Sequence, residues 1–234
     1  MGRGRFITFE GGEGVGKSTQ VRLLAEWLRE RGCEVLTTRE PGGSPGAEII
    51  REALLSGRTK HLGPMAEAIL FSGARIDHID SVIRPALEAG KWVLCDRFTD
   101  SMMAYQGAAG EPGEPVLRAL ERVVVGETRP HLTVMLDLPP EKGLERAAAR
   151  RQERHEETDR FEGEALAFHQ QLRERFQAIA AHDTARCAVV DADAEVDEVA
   201  RRIRQVVETR LGGVLPQAAQ EEPAEGLAAT DAQP

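Results

Sequence analysis

The chain is short of cysteine, of positive charge and of long apolar runs. Its three cysteines, Cys33, Cys95 and Cys187, are odd in number, far apart and without C-x-x-C spacing. That pattern argues against a disulfide framework or a zinc site and for reduced thiols in a cytoplasmic protein. No apolar run approaches the roughly 20 residues that cross a bilayer, so no membrane partner is expected. Met1-Gly2-Arg3-Gly4-Arg5 leads straight into a first strand and leaves no room for a secretory signal. Phe6 stands where a myristoylation signal has Ser or Thr. Thirty Lys and Arg against thirty-nine Asp and Glu give a net charge of −9, which argues against general nucleic-acid binding. An acidic chain that takes an anionic ligand must gather its basic residues locally. It can do so, because an ion pair at about 4 Å is worth about 4 kcal/mol at an effective dielectric of about 20, while charges beyond a screening length of about 8 Å fade. No internal repeat is present.

What the chain has is Gly11-Gly12-Glu13-Gly14-Val15-Gly16-Lys17-Ser18-Thr19, a G-x-x-x-x-G-K-[ST] phosphate-binding loop placed directly after the strand-like run Phe6-Ile7-Thr8-Phe9. Without a Cβ, Gly11, Gly14 and Gly16 let the backbone bring successive N–H groups to phosphate oxygens. Lys17 adds a charge at the β- and γ-phosphates, and the Ser18 hydroxyl is placed to ligate magnesium. Val21, Leu24, Ala25 and Leu28 recur at helical spacing, so the loop opens a helix whose positive end faces the anion. The plain alternative is a glycine-rich turn before an ordinary helix; strand, loop and helix in register argue against it.

After a second strand over 34–38 comes Arg39-Glu40-Pro41-Gly42-Gly43-Ser44, which cannot be helical. Arg39, following a parallel strand, points to the sheet edge where ligands of open α/β sheets bind. It is either a phosphate ligand or a solvated loop arginine. Residues 45–56 and 64–84 read as helices, and Phe71 and Arg75 share a face of the second. They can stack on a base and read its carbonyl edge, but spacing alone favours a core phenylalanine beside a surface arginine. Lys91 to Asp96 is an apolar strand ending in an acid, with Arg97 next, and its carboxylate can reach a magnesium ion. Leu132 to Asp137 is a strand of the same type. Asp96 is favoured for the metal because Arg97 adds a base on the anion side; Asp137 then caps the element begun by Pro139 and Pro140.

Arg146, Arg150, Arg151, Arg154 and Arg160 alternate with acids. Such a run is a solvated helix surface or, beside a phosphate loop, a lid whose arginines meet the transferring phosphoryl group. Phe161, Ala165, Phe168, Leu172, Phe176 and Ile179 trace one stripe of a long helix. A last strand at 188–190 and a helix over 195–211 follow, and the composition of 212–234 predicts a disordered tail. Alternating strands and helices predict an α/β, P-loop NTPase-like fold, with a five-stranded parallel sheet flanked by helices on both faces and a small arginine-rich lid. One domain is expected over 1–211, with the lid at about 148–161.

The motifs together resemble the bacterial thymidylate kinase family. The matching pieces are Glu10 through Thr19, Thr38-Arg39-Glu40-Pro41-Gly42-Gly43, Leu70-Phe71-Ser72-Gly73-Ala74-Arg75, Asp96-Arg97-Phe98, Ser101 with Tyr105-Gln106-Gly107, and Asp159-Arg160-Phe161-Glu162. They occur in the family's order and cover roughly residues 5–210. The resemblance implies that ATP lies on Gly11 to Thr19, with Mg2+ at Ser18 and Asp96. It implies that Phe71 stacks on the thymine of dTMP, Arg75 hydrogen-bonds its carbonyl, and Arg39 and Arg97 hold the acceptor phosphate. Glu13 would meet the sugar 3′-hydroxyl, Tyr105 would fill the space of a ribose 2′-hydroxyl, and Ser101 and Gln106 belong to the same substrate set. Lys17, Asp96, Arg97 and the lid arginines Arg150, Arg151 and Arg154 would carry catalysis. A phosphate loop without its own arginine is similar to the family type that takes one from the lid. The resemblance also implies a homodimer. Two departures stand out: the segment from Arg150 to Arg160 is longer than the usual lid, and Met102-Met103 follows Ser101 where many relatives have a small or hydroxylated residue near the base. One base contact is then absent or made by water.

An acceptor phosphate is already anionic, so transfer to it needs positioning and charge compensation rather than a strong base. The chain fits: it has arginines and one metal-side acid, and no catalytic-loop aspartate in a protein-kinase pattern. The expected reaction is in-line transfer of the γ-phosphoryl group of MgATP to dTMP, giving dTDP and ADP. Other readings are a kinase for another nucleotide or for a deoxynucleoside, and an ATP-dependent switch or interaction module. A GTPase switch would carry an Asn-Lys-x-Asp motif, which is missing.

Overall fold

The computed structural model of the chain describes residues 4–108, 112–154 and 161–215. Lid residues 155–160, Arg160 among them, and the tail from 216 to 234 lie outside the described residues. The apolar runs become strands. β1 (Arg5–Glu10), β3 (Trp92–Asp96) and β4 (Leu132–Asp137) are buried along almost their whole length, as strands covered on both faces must be. β2 (Val35–Arg39) and β5 (Cys187–Asp191) are partly exposed and form the edges. Among the described residues the strands form one five-stranded sheet in the order β2-β3-β1-β4-β5, and every neighbouring pair is parallel.

The connection after β1 runs to the edge strand β2 and the connection after its neighbour β4 runs to the opposite edge strand β5, which opens a crevice beyond the carboxyl ends of the central strands. Register then decides what lines that crevice. Asp96 sits opposite both Phe9 of β1 and Arg39 of β2, so the phosphate loop, the Asp96-Arg97 pair and Arg39 leave the sheet at one level. Arg39 closes its strand rather than lying in the loop after it.

On one face α1 (Lys17–Glu30) and α9 (Val196–Leu211) bury Leu24, Leu28, Val199, Ile203 and Val207 against the sheet. The other face is covered in two places. Ile79 and Ile83 pack with Phe6, Val93 and Phe98, and α5 (Thr99–Ala108) and α8 (Leu166–His182) close over Met135 and Cys187. Outside these lie α2 (Pro45–Leu55), α6 (Glu114–Val125) and α7 (Pro140–Arg154). All three cysteines are buried and free. No helix among the described residues is long and apolar enough to cross a membrane.

Three elements depart from the sequence reading. The helix expected to end at 84 runs on: α3 (Pro64–His78) passes through a wide π-helical turn at Ile79–Ile83 into α4 (Arg84–Glu88). The wide turn stands just before Pro85, which lacks the N–H that a regular ladder needs. Phe161 lies in a turn ahead of α8 rather than on its stripe. Finally, α5 is buried on nearly every side, so it has no solvent-exposed face and no helical period to read.

The buried layer between α5 and the sheet is polar. Thr8 and Thr133 hydrogen-bond across β1 and β4 at 2.8 Å. Arg186 donates to both oxygens of the buried Asp100, at 2.6 and 3.0 Å, and to Thr133 at 2.6 Å. Replacing Arg186 by Met leaves the Asp100 carboxylate inside without its cation, which should cost about 3–5 kcal/mol in urea denaturation. Opening the exposed Arg118–Glu114 pair with Arg118→Met should leave the midpoint almost unchanged. A loss under about 1 kcal/mol in the Arg186 variant would contradict the burial argument.

Candidate active site

The phosphate loop joins β1 to α1, and its glycines take the left-handed conformations that side chains resist: φ is 134° at Gly11, 65° at Gly14 and 95° at Gly16. Gly14 is required for a second reason. A Cβ there would lie 1.8 Å from the Gly143 carbonyl oxygen, so the first turn of α7 rests directly on the loop. The Lys17 ammonium donates to the carbonyls of Gly11 (3.1 Å) and Gly12 (2.6 Å). Burial pulls its pKa down to about 8, with Arg97 acting in the same direction and Glu13 and Asp96 opposing.

At the tip of β3 the Ser18 hydroxyl donates to the Asp96 carboxylate. These are hard oxygen ligands of the kind magnesium takes, together with phosphate oxygens. The described residues hold no cluster of three or more His, Cys, Asp or Glu that would bind a metal alone.

Arg97 is the one non-glycine residue among those described with positive φ, at 68°. Such a conformation costs on the order of 1–3 kcal/mol and persists only where the surroundings over-determine it. Here they do. The Arg97 N–H donates to Phe9 O at 2.9 Å, and its guanidinium donates to Gly11 O (3.1 Å), Ser101 Oγ (3.2 Å) and Glu13 Oε1 (2.8 Å). Tyr105 donates its hydroxyl to the same Glu13 oxygen. Burial alone would raise the Glu13 pKa, but Arg97, Lys17 and the Tyr105 hydrogen bond overcome it and hold the carboxyl at about 2. Glu13 is therefore held as an anion near neutral pH.

Two clefts meet at these residues. One, of about 200 Å³, runs between the phosphate loop, the β2–α2 loop, α3 and α5, and is walled by Arg39, Phe71, Arg75, Ser101, Tyr105 and Gln106. The other, of about 730 Å³, runs along the loop from Gly14 to Gln20, under Arg146 and Arg150, to Ala192 through Val199. Glu13, Ser18, Asp96 and Arg97 line both.

In the smaller cleft the spacing-based preference for Phe71 and Arg75 is reversed. Arg75 is buried and Phe71 is half-buried in the wall. Arg75 tolerates burial because Glu40 accepts from its Nε at 2.7 Å and the Phe98 carbonyl from Nη2 at 3.1 Å. Met102 Sδ lies 3.6 Å from its Nη1. Arg39 reaches Glu48 at 3.0 Å. Asp137 neither joins the Ser18–Asp96 pair nor caps α7: its carboxylate takes Arg173 (2.8 Å to each oxygen) and Gln177 of α8. In the lid, Arg150 (3.0 Å) and Arg151 both pair with Glu162. Arg154 ends α7, and its side chain lies outside the described residues.

Some site residues were missed. Arg51 donates to Pro41 O at 2.6 Å and lines the smaller cleft, but sits in an ordinary helix without a motif. Arg146, read from the sequence only as one member of the arginine run, overhangs the larger cleft and donates to Ala192 O at 3.2 Å. Glu10 carried a readable signal, an acid at the end of an apolar strand. It is fully buried and accepts from Phe98 N (2.8 Å), Ser101 N (3.2 Å) and Ser101 Oγ (2.6 Å), so it fixes the turn that carries Arg97.

Residues 9–203 match the family model described as Thymidylate kinase. The chain is 56% identical over 210 residues to a thymidylate kinase of Bradyrhizobium diazoefficiens, covering 90% of this chain and 91% of that one. It is 59% identical over 201 residues to a thymidylate kinase of Nitrobacter winogradskyi, covering 86% of each. The crystal structure of thymidylate kinase from Ehrlichia chaffeensis is similar with a TM-score of 0.70 and 29% identity, over 88% of this chain and all of that one.

Burial, then the nearby Asp100, push the Glu10 pKa up to about 7 from an ordinary 4.5, against Ser101, Arg97 and the Phe98 N–H. The folded state therefore holds this proton longer than the unfolded chain, and stability should fall as pH rises from about 4.5 to about 7. Glu10→Gln removes the titration and should flatten that part of the curve. Equal slopes for both proteins in urea melts across this range would contradict the assignment.

Proposed function

We propose a mechanism for this chain, which belongs to the thymidylate kinase family and phosphorylates dTMP to dTDP in an ATP-dependent reaction: the larger cleft holds ATP, the smaller one holds dTMP, and the phosphates meet between Lys17 and Arg97. The observation that carries this is that Glu13, Ser18, Asp96 and Arg97 belong to both clefts. ATP lies with its phosphates on Gly11 to Thr19 and its base toward Arg146 and Ala192. Ser18 and Asp96 would hold Mg2+, which would supply neutralisation of phosphate charge there.

The acceptor oxygen of dTMP is anionic, so it attacks the γ-phosphorus without a general base. One P–O bond forms as the β–γ bridging bond breaks, and ADP leaves. Arg39 and Arg97 hold the acceptor phosphate, while Lys17 and an arginine from among Arg150, Arg151 and Arg154 compensate charge spread over the transferring group. Phe71 stacks on thymine, and the N–H groups of Arg75 not given to Glu40 or Phe98 read a carbonyl. Ionised Glu13 accepts the 3′-hydroxyl. Tyr105 is packed edge-on against Phe161 at 5.1 Å and Phe176 at 6.3 Å, which supports its holding the space of a 2′-hydroxyl. Ser101 and Gln106 complete that wall, and Met102 leaves one base edge without a protein hydroxyl.

A homodimer fits the surface: Ile49 of α2, Ile69 and Ile76 of α3, and Val123 of α6 are exposed, on helices that pack side by side. One kinase domain over 1–211, with a lid at about 148–161, and a cytoplasmic setting for its three free thiols complete the reading.

ADP release from MgATP should be far faster with dTMP than with UMP, and absent with thymidine. Turnover of thymidine but not dTMP would refute the acceptor assignment. Changing Arg150, Arg151 and Arg154 singly to Ala should cost on the order of 10³-fold in turnover at one of them. If none slows the enzyme by about tenfold, the lid has no charge-compensating role.

A further inference from the structure

A third cleft, of about 610 Å³, lies behind α5, between that helix, α6 from Glu114 to Arg122 and the second half of α8. Helix α5 has two working faces. Ser101, Met102, Tyr105 and Gln106 turn to the acceptor cleft, while Asp100, Met103 and Gly107 line the third one. The two cavities are thus separated by a single helix and share none of their residues.

The charges in this cleft are not balanced. Arg118 is paired with Glu114 at 2.6 Å, and Arg186 with Asp100 and Asp183 at 2.6 and 2.9 Å. Arg122, Arg129 and Arg175 line the same cleft and are exposed, and their guanidiniums have no carboxylate or carbonyl partner among the described residues. Glu121 is the remaining unpaired acid in the lining. In a chain of net charge −9, five arginines face four acids in this lining, and Arg122, Arg129 and Arg175 against the single unpaired Glu121 leave a local excess of positive charge among the described residues. Each guanidinium presents a planar fork of donors that matches two phosphate oxygens. The cavity is much larger than one phosphate ion needs, and three forks exceed what one phosphate can use.

We propose that this cleft is a second anion site, distinct from the two nucleotide clefts, which binds a compound carrying a chain of phosphates on Arg122, Arg129 and Arg175. The ligand is either a nucleoside triphosphate or an inorganic polyphosphate. Its position on the back of the helix that forms one wall of the acceptor cleft suits a regulatory ligand rather than a substrate.

The test is calorimetric titration of the full chain with inorganic tripolyphosphate and, separately, with ATP. Lys17→Ala is the background, so that the phosphate loop does not dominate. One tripolyphosphate site should remain in that background and weaken on the order of 100-fold when Arg122→Ala and Arg175→Ala are added, each removing a charge-assisted contact. Both side chains are exposed, so unchanged melting curves would show that the fold is intact. ATP binding that depends on the two arginines assigns the nucleotide as the source, and tripolyphosphate binding alone assigns the inorganic chain. The proposal is overturned if no tripolyphosphate binds the Lys17→Ala protein, if binding ignores the arginine changes, or if a short single-stranded DNA binds there in preference to both compounds.

Discussion

The ion pair between Arg97 and Glu13, 2.8 Å long and largely shielded from water, ties the two halves of the site together. Glu13 belongs to the loop after β1 and Arg97 to the turn after β3, so neither strand alone could form it. Arg97 reaches Glu13 by adopting a left-handed backbone conformation, and the network that stabilises that conformation runs inward. Phe9 and Gly11 take its N–H groups, and Ser101 connects it to Glu10 at the end of β1. Buried acids and bases here compensate one another: Arg97 and Lys17 keep Glu13 ionised, and Glu13 in turn raises the pKa of Arg97 against the pull of burial. Removing one member would leave its partner charged in a poorly solvated place, which is costlier than the pair is beneficial.

The sheet supplies the scale on which this can happen. Parallel register sets Phe9, Asp96 and Arg39 level, and the connections that run from β1 and β4 to opposite edges open room above them. An acidic chain then needs its cations only at that edge. The clefts on either side differ in character as their contents should. The smaller is walled by Phe71, Phe98 and Met102 beside Arg39, Arg51, Arg75 and Arg97, and suits a base with an anionic group. The larger follows the backbone of the phosphate loop beneath Arg146 and Arg150.

Much of this was legible in the sequence because it is encoded locally. The phosphate loop, the apolar strands and the acid at the tip of β3 are contiguous signals, and they sufficed for the parallel five-stranded fold. Helix α5 was not legible, since a helix buried on all sides loses the periodicity by which helices are recognised. Spacing put Phe71 and Arg75 on one face but not which of them was inside. That was decided by Glu40, thirty-five positions away from Arg75 in the chain, whose charge makes the burial of an arginine tolerable. Asp137 shows the same limit: it ends a strand as Asp96 does, yet Arg173 from a helix much later in the chain claims its carboxylate.

The central claim is that acceptor and donor phosphates meet where the two clefts join, held between Lys17 and Arg97. A crystal structure with dTMP and a non-hydrolysable ATP analogue with Mg2+ measures this directly. The expected result is the dTMP phosphate within hydrogen-bonding distance of Arg97, in line with the terminal phosphate on the loop, and a metal ion beside Ser18 and Asp96. An acceptor phosphate bound elsewhere, with Arg97 still closed on Gly11 and Glu13 alone, would contradict it.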